Sequence, residues 1–255
     1  MGHKFRVLLV FVAVSTLGGV ATVTDARAQV TVGMVTKVEN QAQIGAQPAA
    51  VGTPVHMSDT LRTGPGARLQ VTFRDQTNLS LGENATVVID RFVFDPDASI
   101  GEASLSATKG AFRMVTGRIS DMQNKKIGVT TPFGALAVRG TDFWWGPIEG
   151  QFGVLLVHNS RVDVSDPNCP AVTLDQAGEG TDIDRDRKCP GAPYQWPQAR
   201  IDAALQSTGF SVAFAPSQAI PAAVGLAAAG IGFGVSTSNN DDEPPLLTPP
   251  TPASP

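Results

Sequence analysis

The chain has 255 residues, of which 42% are hydrophobic and 16% charged, the balance of a globular rather than a disordered protein. A formal net charge of −4 and only three histidines argue against a nucleic-acid binder, which needs a basic footprint. They also leave little material for a histidine-based metal or acid–base site. Aromatic residues make up 6%, while 26 glycines and 19 prolines favour many turns over long helices.

Residues 1–28 read as a secretory signal peptide. Lys4 and Arg6 form a positive start, Val7 to Ala21 an apolar stretch, and Ala26-Arg27-Ala28 a small-x-small cleavage site before Gln29. A retained membrane anchor fits less well, because the apolar run falls short of the roughly 20 residues a span needs. Cleavage removes Lys4, Arg6 and Arg27 against Asp25 and leaves a charge of −6. So acidic an exported protein is not built to adhere to anionic lipid.

From Gln29 to Asp184 short alternating runs are separated by turn residues. Val30 to Val38 begins the series, and Val51 to Val55 follows, with Pro54 marking an edge or turn. Leu69, Val71 and Phe73 alternate with Gln70, Thr72 and Arg74, so one face is apolar and the other polar. Asp75-Gln76-Thr77 makes a turn before Leu79 and Leu81 resume the alternation, a hairpin signal. Val87 to Phe94 is a further strand, ended by Asp95-Pro96-Asp97. Leu105 to Val115 carries a strand pair with Gly110 between its members. Val129 to Val138, Thr141 to Trp145, Gly153 to His158, Arg161 to Val164 and Val172 to Leu174 complete the series. Strands every 8–12 residues with no helical period between them predict an all-β single domain, a sandwich, roll or solenoid.

The two cysteines, Cys169 and Cys189, most simply form one disulfide in an oxidising compartment. Closing a loop of about 20 residues contributes about 3 kcal/mol in the loop-entropy model. Pro197, then Ile201, Ala204 and Leu205 at helical spacing, then Gly209 predict one short helix, expected to cover an open end or edge of the sheet. This places residues 185–216 as a disulfide-tethered loop and helix. After Arg200 there is no Lys or Arg. Residues 217–235 contain an apolar Ala/Gly run with two readings, a peripheral or self-associating segment or a membrane span. Residues 236–255 form an acidic, Pro-rich tail that cannot bury enough apolar area to order itself.

The order Leu61-Arg62-Thr63-Gly64, Leu69 to Asp75, Leu79-Ser80-Leu81-Gly82, Gly110-Ala111-Phe112-Arg113, Thr131-Pro132 and Val138-Arg139-Gly140-Thr141-Asp142-Phe143 resembles the FecR domain of bacterial periplasmic signalling proteins. The resemblance covers about residues 50–183, and Arg-Gly-Thr-Asp-Phe is its most specific part. It implies an exported all-β module that relays signals and binds an envelope protein partner. The best-known members carry a cytoplasmic anti-sigma region and a membrane helix ahead of this domain. Here the first 28 residues look like a cleavable signal, so the chain resembles the stand-alone exported members. Asp75-Gln76-Thr77 departs from the usual Asp-Gly-x of the family.

Within that signature, Gly140 between two strand-like runs suggests a bulge or a close backbone approach; a bulge would let Arg139 and Asp142 pair, or Arg139 satisfy turn carbonyls of the Thr63-Gly64 or Gly117 loops. Arg139, Gly140, Thr141 and Asp142 are then either a structural corner or a partner-binding surface. Phe143-Trp144-Trp145 presents aromatics to both faces of one strand. Asp182, Asp184 and Asp186 resemble the start of a calcium loop, but Arg187 and Pro193 stand where glycine and glutamate are needed. No catalytic motif, cofactor fingerprint or metal quartet occurs. Two functional readings follow: a non-catalytic protein-binding sensor or scaffold of the periplasm, whose open sheet edges invite strand addition, or a carbohydrate- or wall-binding module using Trp144, Trp145 or Trp196.

Overall fold

Alternation is what builds the body. In Arg68–Phe73 every second residue, Leu69, Val71 and Phe73, is buried while Gln70 and Thr72 are half-exposed, and Asn78–Leu81 repeats the pattern. The computed structural model describes residues 30–140, 142–158, 161–184, 186 and 189–210. These fall within one compact unit, Met1–Ser211; the second unit, Val212–Pro255, lies outside the described residues. So do the expected signal peptide, the apolar Ala/Gly run, the acidic tail and Thr141.

The described residues form eighteen strands. They are β1 (Thr31–Glu39), β2 (Ala42–Ile44), β3 (Gln47–Pro48), β4 (Pro54–His56), β5 (Thr60–Thr63), β6 (Arg68–Phe73), β7 (Asn78–Leu81), β8 (Thr86–Asp95) and β9 (Ile100–Lys109). Then come β10 (Phe112–Val115), a 3-10 turn (Arg118–Asp121), β11 (Asn124–Thr131), β12 (Gly134–Val138), β13 (Asp142–Ile148), β14 (Gln151–His158), β15 (Val162–Ser165), β16 (Val172–Leu174), β17 (Glu179–Ile183) and β18 (Tyr194–Gln195), followed by helix α1 (Gln198–Thr208).

They make two nine-stranded sheets, ordered β18-β17-β14-β13-β10-β7-β6-β1-β4 and β16-β15-β12-β11-β9-β8-β5-β2-β3. The chain alternates between them, laying down one or two strands at each visit. A two-strand visit to one sheet leaves the flanking strands of the other antiparallel, as with β7 and β10 around β8–β9. The single-strand visit of β10 restores the original direction, so β9 and β11 pair in parallel. Leu105 to Val115 is therefore not a strand pair. Gly110 is a crossing point between sheets, because Ala111 and Phe112 bond to the end of β7 rather than turning back on β9.

The two inner faces share one core. Leu69, Val71, Phe73, Leu79 and Leu81 from the first sheet meet Leu61, Val87, Ile89, Leu105, Val129 and Leu136 from the second, all nearly inaccessible. Phe73 and Phe92 stack across the gap at 5.0 Å between ring centres. Each such Leu or Phe contributes about 2 kcal/mol by leaving water. The result is the expected all-β domain with a short helix, a two-sheet sandwich (56% strand).

Strand β13 is buried on both faces. Trp145 points inward to Phe112 and Phe152, and Trp144 points outward to Ala111, Leu155, Trp196 and Ala204. Helix α1 lies over that outer cluster, where Ser207 accepts a 2.9 Å hydrogen bond from the Trp144 indole. The helix thus covers a sheet face rather than an open edge. The reason is the second tryptophan: its outward ring needs a lid that a strand edge does not.

Candidate functional site

The Arg-Gly-Thr-Asp signature is the crossing from β12 in the second sheet to β13 in the first. The Arg139 amide continues the ladder with the Arg161 carbonyl at 3.0 Å. At Gly140 the backbone then turns with φ +70°, and a Cβ there would sit 2.8 Å from the Ser120 Cβ. A glycine is needed on both counts. The residue is a corner between sheets rather than a bulge within a strand. The register irregularity nearby falls after Asp142, where Val157 of β14 is skipped.

The corner sends Arg139 and Asp142 to opposite sides of the sandwich, so the expected pairing gives way to two separate clusters. Asp142, largely buried, receives both arms of Arg113, at 2.7 Å from Nε and 2.5 Å from a terminal nitrogen, and the His158 Nδ1 lies 3.3 Å away. Hydrogen bonding to Asp142, reinforced by its charge and partly opposed by burial, raises the Arg113 pKa above its ordinary value. On the other side the Arg139 side chain, 72% exposed, reaches Asp163 at 4.0 Å. Asp163 also accepts from Arg161 at 2.8 Å and from Thr173 at 2.7 Å. Partial burial pushes the Asp163 carboxyl up, but the Thr173 and Arg161 hydrogen bonds and the charges of Arg161 and Arg139 together outweigh it and hold the pKa below the usual carboxylate value.

Beneath the corner a polar bracket ties two turns together. Asp75, with no exposure, accepts the Thr77 amide (3.0 Å), the Thr77 hydroxyl (2.6 Å) and the Ile119 amide (3.3 Å). Its carbonyl accepts the Arg118 amide at 2.8 Å, and the Thr77 hydroxyl accepts the Gly117 amide at 2.9 Å. The close fit requires Gly117, since a Cβ there would lie 2.2 Å from the Asp75 carbonyl oxygen. Gln76 occupies the left-handed region at φ +72°, the conformation that glycine adopts without cost. Ser120, which packs under Gly140, donates to the Gly117 carbonyl at 2.6 Å and so joins bracket to corner. Sequence alternation reads 75–77 as a turn; it carries no signal for the reach of Asp75 to Ile119, 44 residues away.

The remaining candidates resolve as structure. Cys169 and Cys189 form a disulfide, with 5.6 Å between Cα atoms, that ties the approach to β16 to the end of β17. Asp182 is taken by Arg200, at 2.5 Å, and by the Tyr194 hydroxyl at 2.8 Å, while Asp184 accepts the Asp186 amide at 2.8 Å. The acidic triplet is spread rather than convergent; among the described residues no three His, Cys, Asp or Glu gather as a metal site. Arg200 lies 4.2 Å over the Trp196 ring, and burial together with Asp182 raises the Tyr194 pKa. Trp144, Trp145 and Trp196 are 0%, 0% and 4% exposed. None offers a face for sugar stacking, which leaves the carbohydrate-binding reading without support: the rings that suggested it fill the space between sheets and under α1. Arg113, His158, Arg161, Asp163 and Arg200 complete these clusters. Arg113 lies in the quoted signature, but its pairing with Asp142 leaves no local signal, and neither do those of His158 with Asp142 and Arg200 with Asp182, because the partners are distant in sequence.

These observations define a two-sheet β module whose signature residues are a braced corner between its sheets. Residues 59–163 match the FecR protein family, the same family that the signature residues resemble. Two crystal structures of a candidate anti-sigma factor from Parabacteroides distasonis are similar to it, each at 17% identity and a TM-score of 0.44, covering 58% of this chain and 64% of that one. The chain thus aligns with less than two thirds of that protein's length. No curated protein matches the chain.

Proposed function

We propose that this FecR domain is a non-catalytic, protein-binding sensor or scaffold in envelope signalling, and that it meets its partner at the braced corner formed by Arg139, Gly140, Thr141 and Asp142. FecR proteins are regulatory and envelope-associated, which supports the class. The observation that carries the location is the contrast across the corner. A bracket of buried Asp75 and Thr77 with half-buried Gly117 holds it from below, while Arg139 and Arg161 stand 72% and 50% exposed above. Residues held this firmly lose little entropy on binding, and arginine is favoured at the centre of interfaces. Among the described residues no helix is long and apolar enough to cross a membrane. Attachment to the envelope through residues 217–235 and the export of the chain by residues 1–28 belong to the same proposal.

Immobilised protein incubated with the host's envelope extract tests it. A specific protein partner retained by the natural sequence and lost with Arg139→Ala, the variant remaining folded, is the expected result. Undiminished capture by Arg139→Ala and Arg161→Ala overturns the location. Gly140→Val is not an informative probe, because it strains the backbone and collides with Ser120.

A further inference from the structure

Strand β8 is longer than its neighbour. β5 pairs only with Thr86, Val87 and Val88, and the backbone of Ser58 and Asp59 extends the cover one residue further, to Ile89. β9 accompanies β8 on its other side all the way to Asp95. Between Asp90 and Asp95, β8 therefore has no strand on its β5 side among the described residues, and alternate N–H and C=O groups face outward there.

This step differs from the outer edges of both sheets. β3 ends in Pro48, β4 begins with Pro54, Pro170 stands just ahead of β16 and Pro193 immediately precedes β18. Proline removes a donor and blunts those edges against pairing. The step strand Arg91-Phe92-Val93-Phe94-Asp95 holds no proline, and three of its five residues are strong strand formers. Phe92 faces the core, Val93 and Phe94 are half-buried, and the Arg91 side chain is 59% exposed.

The segment is complementary to itself. Laid antiparallel against a second copy with Val93 on the two-fold axis, each Arg91 stands opposite the partner's Asp95 and each Phe92 opposite the partner's Phe94. Directly opposed residues share a sheet face, so both charge pairs fall on the outer face and both aromatic pairs on the inner one. We propose that two copies of this chain pair through the β8 step, joining their second sheets into one continuous sheet. The contact is isologous, closes on itself and uses strand addition, with main-chain hydrogen bonds for affinity and the Arg91–Asp95 pairs for register. Arg91 already pairs with Glu102 through Nε, and its terminal guanidinium N–H groups are left to meet the partner.

Sedimentation of the full chain over a concentration series, with Arg91→Glu and Asp95→Lys, tests the proposal. The natural sequence is expected to show a concentration-dependent dimer. Either single variant sets like charges opposite each other twice and weakens that dimer on the order of tenfold or more. An equimolar mixture of the two variants restores association. The acid introduced in one variant then faces the base introduced in the other, while the remaining Arg91 and Asp95 meet as before. Recovery on mixing also shows that both variants are folded. A natural chain that stays monomeric, a dimer indifferent to both substitutions, or a mixture no stronger than its components overturns the proposal.

Discussion

The Asp75 bracket gives the sharpest energetic test of why the corner is held where it is. Replacing Asp75 with alanine removes the acceptor for the Thr77 amide, the Thr77 hydroxyl and the Ile119 amide, all in a fully buried site. The hydroxyl can rotate, but the two amides are left without acceptors. A buried unsatisfied donor costs about 1–3 kcal/mol, so Asp75→Ala should destabilise the domain by about 3 kcal/mol. For a domain of this size that corresponds to a fall of roughly 6–12 °C in Tm. Asp75→Asn keeps one acceptor oxygen and should lose about half as much. Urea unfolding with unchanged slope is the appropriate assay, because an altered slope would mean a changed unfolded state rather than a lost bracket. A loss below about 1 kcal/mol for alanine, or equal losses for alanine and asparagine, would refute the assignment of Asp75 as the clamp between the 75–77 turn and the 117–121 turn.

Gln76→Gly should stabilise the domain. The left-handed backbone at φ +72° costs a side-chain-bearing residue about 1–2 kcal/mol, and the extra freedom of glycine in the unfolded chain gives back about 0.4–1, for a net gain of about 0.5–1 kcal/mol by chemical denaturation. Asp163 should make stability acid-sensitive. Its folded pKa is depressed, so its contribution is complete above the ordinary carboxylate range and is lost as pH falls through the folded value. Stability of Asp163→Asn compared with the natural sequence at neutral and at strongly acid pH should show a difference that shrinks on acidification; a constant difference would contradict the role given to Arg161, Arg139 and Thr173.

Several features needed nothing beyond the sequence. The period-two burial of Leu69, Val71, Phe73, Leu79 and Leu81 dictates strands, because only alternation can present those residues to one core and Gln70, Thr72 and Ser80 to water. The Asp75-Gln76-Thr77 turn, the α1 segment behind Pro197 and the pairing of the two cysteines were equally legible, as was the FecR signature. Each depends on neighbours along the chain, or on a choice of only one partner.

The tertiary structure decided the rest, for the converse reason. β17, Glu179–Ile183, has no alternating apolar pattern; it is a strand because it pairs antiparallel with β14, and Gly180 leaves room for the Trp196 ring, contacts that only the folded chain creates. Whether Gly110 and Gly140 turn a hairpin or carry the chain across to the opposite sheet depends on which edge is vacant when the next strand arrives, which local propensity does not encode. That choice sent Arg139 and Asp142 to different faces and brought each carboxylate a partner from a neighbouring strand, Arg113 for Asp142 and Thr173 for Asp163. The residue types of the corner were readable from the start. Their division into a buried clamp and an exposed basic face follows from the alternation of the chain between two sheets.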